Sequence, residues 1–187
     1  VDVEIDPKYS VLQEAMSKYY GIMEGLNTFL TELSHPRKNW QFIVKEARGY
    51  SLDYFHLLKN HPNGGEAAAL LIDVFIKAIE NEKTNMDVKG DAADNLLLFL
   101  QKIIKDADSE TSVEKFFPVI NDTFHQIEHF GDDYFFLFVK SYYQIKKLVD
   151  SFRLTVSGCQ LTVDSFRLPV NGHQPKTGNR QPSTVNR

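Results

Sequence analysis

Cysteine is almost missing from this chain, with Cys159 alone among 187 residues. That excludes an intrachain disulfide framework and any zinc site built from several thiolates. Tryptophan is as scarce, Trp40 being the single one. Long apolar runs are lacking too. The longest, Leu96–Leu100 and Tyr134–Val139, fall far short of the about 18–20 residues a membrane-spanning helix needs. The acidic opening VDVEIDP has no apolar segment of the kind a secretory signal requires, and its first residue, Val1, suggests a fragment, a processed chain or an unusual start. A cytoplasmic protein with no membrane segment is expected. What is present is ordinary for a globular domain: 42% hydrophobic and 25% charged residues, too apolar for wholesale disorder.

Charge divides the chain near residue 150. Residues 151–187 hold five bases (Arg153, Arg167, Lys176, Arg180, Arg187) against one acid, Asp164, a net +4. The remaining 16 bases and 24 acids give residues 1–150 a net −8. The octamer VDSFRLTV at Val149–Val156 returns as VDSFRLPV at Val163–Val170. Two copies of so short a unit, followed by Pro, Gly, Asn and Gln, cannot stack into a solenoid. The expected organisation is an all-helical domain over 1–150 and a disordered, low-complexity basic tail over 151–187.

Residues 7–150 show helical periodicity and no convincing alternating strand. Asp6 and Pro7 provide an N-cap and a first-turn proline. Leu12, Met16, Tyr19, Met23, Leu26, Leu30 and Leu33 then fall at 4-3-4-3-4-3 spacing, which predicts one continuous helix ended by Pro36. A second helix is predicted over about 37–59, a third over about 66–82 after the breaker NHPNGG (Asn60–Gly65), and a fourth capped by Asp91 and carrying Leu96–Leu100. Thr111 and Glu114 have capping-box spacing for a fifth, with Pro118 confining its first turn or kinking it and a seam of Phe117, Ile120, Phe124 and Ile127. The sixth presents Phe135, Phe138, Tyr142, Ile145 and Val149. The fold class expected is all-α: about six antiparallel helices in a bundle or a short helical-hairpin array.

Candidate chemistry is sparse. His125-Gln-Ile-Glu128-His129 spells H-x-x-E-H, in which two histidines one turn apart would hold zinc with the Glu as base. No glutamate follows Glu128 to supply the usual third ligand. With Phe124 at zero and about 100° per residue, His125 and His129 point about 100° and 140° from the apolar seam. Asp122 shares that outer face. A surface metal site of Asp122, His125 and His129 is therefore the alternative function, against plain solvated histidines. Glu32 and His35 have the E-x-x-H spacing of di-iron bundles, but only once and at a helix end, where His35 is expected to cover free carbonyls. Arg48 and His56 are too far apart around a helix to meet on one phosphate. Net acidity argues against nucleic acid. Asn63-Gly64-Gly65 reads as a plain loop, and nothing supports a nucleophilic Cys159. Gly21 and Gly25 lie opposite the leucine stripe, where they and Glu14, Lys18 and Thr28 would offer a partner surface if no other helix covers them. The rings of Tyr134, Phe135, Phe136, Phe138, Tyr142 and Tyr143 are too many for one buried face, so some are expected to meet a neighbour.

The run NWQFIVKEARGYSLDYFHLLKNHPNGGEAAALLIDVF (Asn39–Phe75), the word HPRKNW (His35–Trp40) and FLFVKSYYQIKKL (Phe136–Leu148) resemble the helical N-terminal region that precedes the nucleotide-binding module in bacterial phosphoenolpyruvate/pyruvate-binding, dikinase-like proteins. The resemblance covers about residues 10–150 and brings no catalytic motif with it. It implies the non-catalytic leader of a larger phosphotransferase. The expected function is thus a non-catalytic helical interaction or regulatory module. No catalytic residue and no cofactor are assigned, and a protein partner or self-association is expected. The five tail bases, as an arm toward an anionic partner, are the remaining alternative.

Overall fold

The computed structural model describes residues 3–130, 146–147, 149–154 and 156–157. The fold is all-α. A 3₁₀ turn, Pro7–Tyr9, opens it, and the Lys8 amide donates to the Asp6 carboxylate at 3.0 Å as the sequence leads one to expect.

The first predicted helix is two helices, α1 (Ser10–Met16) and α2 (Tyr20–Ser34), folded back on each other. The Ser17 hydroxyl and amide both donate to the Glu14 carbonyl, and the Tyr19 amide donates to the Met16 carbonyl at 3.1 Å. These i→i−3 bonds tighten the turn. Tyr19, at φ −117° and ψ 88°, then leaves helical geometry. The hairpin is antiparallel: the Asp6 amide donates to the Ser34 hydroxyl, and the Gln13 amide nitrogen to Asn27 Oδ1, each at 3.0 Å. Folding lets Leu12 and Met16 share a core with Leu26, Leu30 and Leu33, whereas a straight rod would have held them apart. Tyr19, the middle of the predicted stripe, is instead at the bend and exposed.

The second predicted helix also splits, into α3 (Trp40–Arg48), a wide π turn over Gly49–Asp53, and α4 (Phe55–Asn60). Asn39 rather than Arg37 begins it, its side chain accepting from the Phe42 amide at 3.2 Å. The Tyr54 amide reaches back five residues to the Gly49 carbonyl at 3.2 Å. The extra residue shifts the helical phase so that Tyr50 and Phe55 both turn inward, which a continuous α-helix would not allow. Tyr50 packs on Phe29 with ring centroids 5.1 Å apart.

Helix α5 (Gly64–Glu80) is the centre of the molecule, touching α1, α3, α4, α6 and α7. Apolar residues from Ala67 to Ile79 bury most of its circumference, leaving one stripe, Glu66, Ala69, Asp73, Lys77 and Glu80, toward solvent. Its glycines are part of the helix, not of the preceding loop. A Cβ on Gly64 would overlap the Leu58 carbonyl oxygen, and one on Gly65 would lie 2.5 Å from the Lys115 carbonyl oxygen. Glycine is there because two backbones pass against it.

Helix α6 (Met86–Asp106) starts earlier than predicted, capped by Asn85, whose Oδ1 accepts from the Val88 amide at 2.9 Å, and not by Asp91. Helix α7 (Glu110–His129) is capped by Ser109 through the Ser112 amide, not by a Thr111–Glu114 box. Pro118 lies well inside α7 rather than in its first turn. The buried seam runs through Phe116, Ile120, Phe124 and Ile127. Phe117, expected in that seam, is half-buried and faces Phe152 at 5.9 Å. Phe55 meets Phe99 and Phe116 at 5.9 and 5.4 Å, so one aromatic cluster joins α4, α6 and α7.

Packing continues past residue 150. Val149 and Phe152 are buried, and Arg153 donates to Asn121 Oδ1 at 3.0 Å. The change in composition at that point is not the edge of the packed body. The predicted sixth helix before residue 146, its aromatic cluster, Cys159 and the second octamer copy lie outside the described residues.

Candidate functional site

Two surface regions gather chemistry. The first is the tip of the α1–α2 hairpin. Breaking the helix at Ser17–Tyr19 turns Tyr19 and Tyr20 outward, 48% and 95% exposed. Tyr19 stands edge-on to the exposed His56 ring of α4, with centroids 6.2 Å apart. Beside them Gly21 has no neighbour that a Cβ would meet, while a Cβ on Gly25 would come 3.3 Å from the Tyr50 hydroxyl. Both glycines are exposed, but Gly25 lies beside the Tyr50 hydroxyl of the same chain whereas Gly21 has open space around it. Glu14, Lys18 and Thr28 are exposed, as a partner surface would require.

The second region is a cleft of about 710 Å³ between the α2–α3 and α5–α6 connections. Pro36 stops α2 by holding His35 in an extended conformation. The connection is then tied down by backbone hydrogen bonds. Glu32 Oε1 accepts from the Asn39 amide at 2.7 Å, His35 Nδ1 accepts from the Arg37 amide at 3.0 Å, and the Lys38 ammonium donates to the His35 carbonyl at 2.9 Å. Glu32 and His35 are thus both used in shaping a loop; the Lys38 ammonium serves the His35 carbonyl at the helix end, and His35 Nδ1 lies 2.9 Å from the Arg37 carbonyl oxygen. Across the cleft, Asn81 Oδ1 accepts from the Lys83 amide at 2.9 Å and Asn85 caps α6.

The cleft is lined by Arg37, Lys38, Lys83, Glu82, Trp40 and four side-chain amides. Among the described residues no carboxylate pairs with Arg37, Lys38 or Lys83. Burial holds the Lys38 ammonium below its ordinary pKa, and the charges of Lys8 and Lys77 push the same way against Glu32. Those two lysines line an adjoining cavity of about 390 Å³, but each is committed to an aspartate, Lys8 to Asp6 at 2.9 Å and Lys77 to Asp73 at 2.6 Å.

Asp122 and His125 do lie on the exposed face of α7. His125 Nδ1 is 3.5 Å from Glu128 Oε2, and the His129 side chain is outside the described residues. Among the described residues no group of three His, Cys, Asp or Glu is placed to hold a metal. Arg48 lines a small cavity with Gln41, Asp91 and Asn95, away from His56. Leu58 and Lys115 pack against Gly64 and Gly65 at the start of α5. No described helix is long and apolar enough to cross a membrane.

No family model matches this chain, and no curated protein or solved structure matches it either.

The cleft had no place in the sequence reading as a site. Its signal is the pair of short polar words HPRKN (His35–Asn39) and NEKTN (Asn81–Asn85), each ending in a capping Asn and each between apolar helices. What the sequence does not carry is that the two words face one another, because that follows from α3 packing along α5.

Proposed function

We propose that the chain is a non-catalytic, cytoplasmic helical interaction module that engages a protein partner through the α1–α2 hairpin tip. One observation carries this: two adjacent tyrosines, Tyr19 and Tyr20, are held out to solvent on a bend fixed by the hydrogen bonds of Ser17 to Glu14 and of Tyr19 to Met16. Tyrosine brings large contact area at low entropic cost and is enriched where protein surfaces meet. The neighbouring open Gly21 lets a partner backbone approach. The wider context, the detached N-terminal region of a dikinase-like phosphotransferase, rests on the resemblance of Asn39–Phe75 and Phe136–Leu148.

The test compares sedimentation of the full chain with that of a Tyr19→Ser/Tyr20→Ser variant over a range of concentrations. In parallel, a photoreactive phenylalanine analogue is placed at position 20 or, as control, at position 66. Association abolished by the double substitution supports a contact between copies of the chain. A discrete adduct formed from position 20 alone supports contact with a different protein. If the double variant, melting as the parent does, loses nothing and position 20 captures nothing, the proposal fails. Turnover of nucleotide with phosphoenolpyruvate by this chain alone would also overturn it.

A further inference from the structure

The cleft between the α2–α3 and α5–α6 connections presents a surplus of hydrogen-bond donors that the fold does not use. Three of its asparagines, Asn39, Asn81 and Asn85, spend their Oδ1 on backbone amides: Phe42, Lys83 and Val88 respectively. An amide whose oxygen is engaged keeps two N–H donors. Among the described residues none of those three Nδ2 groups donates to a protein acceptor. To these are added the guanidinium of Arg37 and the ammonium groups of Lys83 and Lys38, the latter spending one N–H on the His35 carbonyl, all without a carboxylate partner among the described residues. Glu82 is the one acid in the lining. The nearby Lys8 and Lys77 are paired with Asp6 and Asp73 and do not line this cleft.

A site rich in donors and cations, and poor in acceptors, complements a ligand that is nothing but acceptors at one end. Phosphate monoesters meet that description. Arg37 offers a planar fork to two phosphate oxygens, and the two lysines add point charges. Trp40, half-buried in the same lining, gives a flat apolar wall to whatever the phosphate is attached to. The volume, about 710 Å³, lies within the range of about 300–1,000 Å³ typical of small-molecule sites. We infer that this cleft is a binding site for a small organic phosphate, its phosphate held by Arg37, Lys38 and Lys83 and its organic part laid against Trp40. The site is separate from the hairpin tip and does not depend on the partner contact proposed there.

Trp40 is the single tryptophan in the chain, so indole fluorescence reports on this cleft and nothing else. The full chain is titrated with phenyl phosphate, inorganic phosphate and phenol. Phenyl phosphate is expected to give a saturable change and to bind more tightly than either of the others. Arg37→Gln and Lys83→Gln, both at exposed positions where folding is not at stake, should each weaken it about tenfold, the loss of one charge-assisted contact. Glu82→Gln should tighten it, and Lys105→Gln, on α6 outside the cleft, should leave it unchanged. Circular dichroism confirms that each variant is folded. Absence of a saturable signal with phenyl phosphate overturns the inference. So does binding that phenol matches, or that survives removal of Arg37 and Lys83 undiminished.

Discussion

The ammonium of Lys115, on α7, donates to the carbonyl oxygen of Lys59, the penultimate residue of α4, at 2.7 Å, and to that of His61 at 2.8 Å. The last carbonyls of a helix have no partner within it, and a cation there also meets the negative end of the helix dipole. The Lys115 carbonyl oxygen, meanwhile, abuts Gly65 at the start of α5. One residue of α7 therefore grips the α4–α5 corner from two sides. Burial holds its ammonium below the ordinary pKa, the expected cost of bringing that charge inside.

Lys115→Met keeps the buried stem and removes the donor. It should destabilise the fold by about 1.5–3 kcal/mol, the range for losing hydrogen bonds to a charged group. Asp108→Asn, which removes the exposed ion pair to the Lys59 ammonium, should cost clearly less. Urea denaturation of both variants checks this. Equal effects would mean that the carbonyl contacts of Lys115 hold nothing.

Three glycines in helices should respond to alanine in opposite directions. Gly64→Ala drives a methyl into the Leu58 carbonyl and Gly65→Ala into that of Lys115; neither obstacle is a flexible side-chain end. Each should cost about 3 kcal/mol or more through strain at backbone contacts. Gly21→Ala meets nothing within 4 Å and lies exposed on α2. It should stabilise by about 0.5–1 kcal/mol, through lower entropy of the unfolded chain. Thermal melts of the three variants decide the matter, and a destabilised Gly21→Ala would show that this flank is not open.

The all-α class was legible because apolar periodicity is a local property of the chain, and the stripes through α2, α5 and α6 are long. Where the sequence misled, a short polar group had outcompeted the pattern. Ser17 back-bonds to Glu14 and folds the first stripe into a hairpin, although Tyr19 continues the spacing across the bend. Gly49–Asp53 adds one residue to a helical turn, which no 3.6-residue template anticipates. Asn85 and Ser109 took the caps because they precede the helices that pack, whereas Asp91 and Thr111 merely match a capping pattern. The cleft was not legible. Its two rims are 45 or so residues apart in sequence, and only tertiary packing brings them together.

Tyr50 makes the fold sensitive to alkali. Its phenol, against Phe29 and Tyr54, is pushed up from 10.0 to about 12, chiefly by burial, with the negative charge of Glu46 adding to it. The unfolded chain ionises this phenol first, so the folded state favours the neutral form. The stability it contributes is present in full below pH 10, falls as pH rises from there, and is lost through about 12. A two-unit shift corresponds to about 2–3 kcal/mol. Tyr50→Phe should leave stability at pH 7 within about 1 kcal/mol of the parent, since packing is kept. It should also flatten the decline between pH 10 and 12 relative to the parent. Parallel curves for the two proteins over that window would refute the assignment.

Ser51 follows Tyr50 in the π turn and is fully buried, and its hydroxyl has no hydrogen-bond partner among the described residues. A buried hydroxyl left unpaired forfeits its hydration and gains nothing in return. Ser51→Ala removes the polar group and leaves almost the same volume, so it should stabilise the fold by about 1 kcal/mol. Thr84 carries the same defect in the α5–α6 connection, and Thr84→Val, nearly isosteric, should act likewise. Urea midpoints that rise for both variants, with unchanged slopes, confirm that these hydroxyls are stability the fold forgoes. A lower midpoint for Ser51→Ala would show instead that the π turn relies on that oxygen, and would locate a polar contact at the point where α3 gives way to α4.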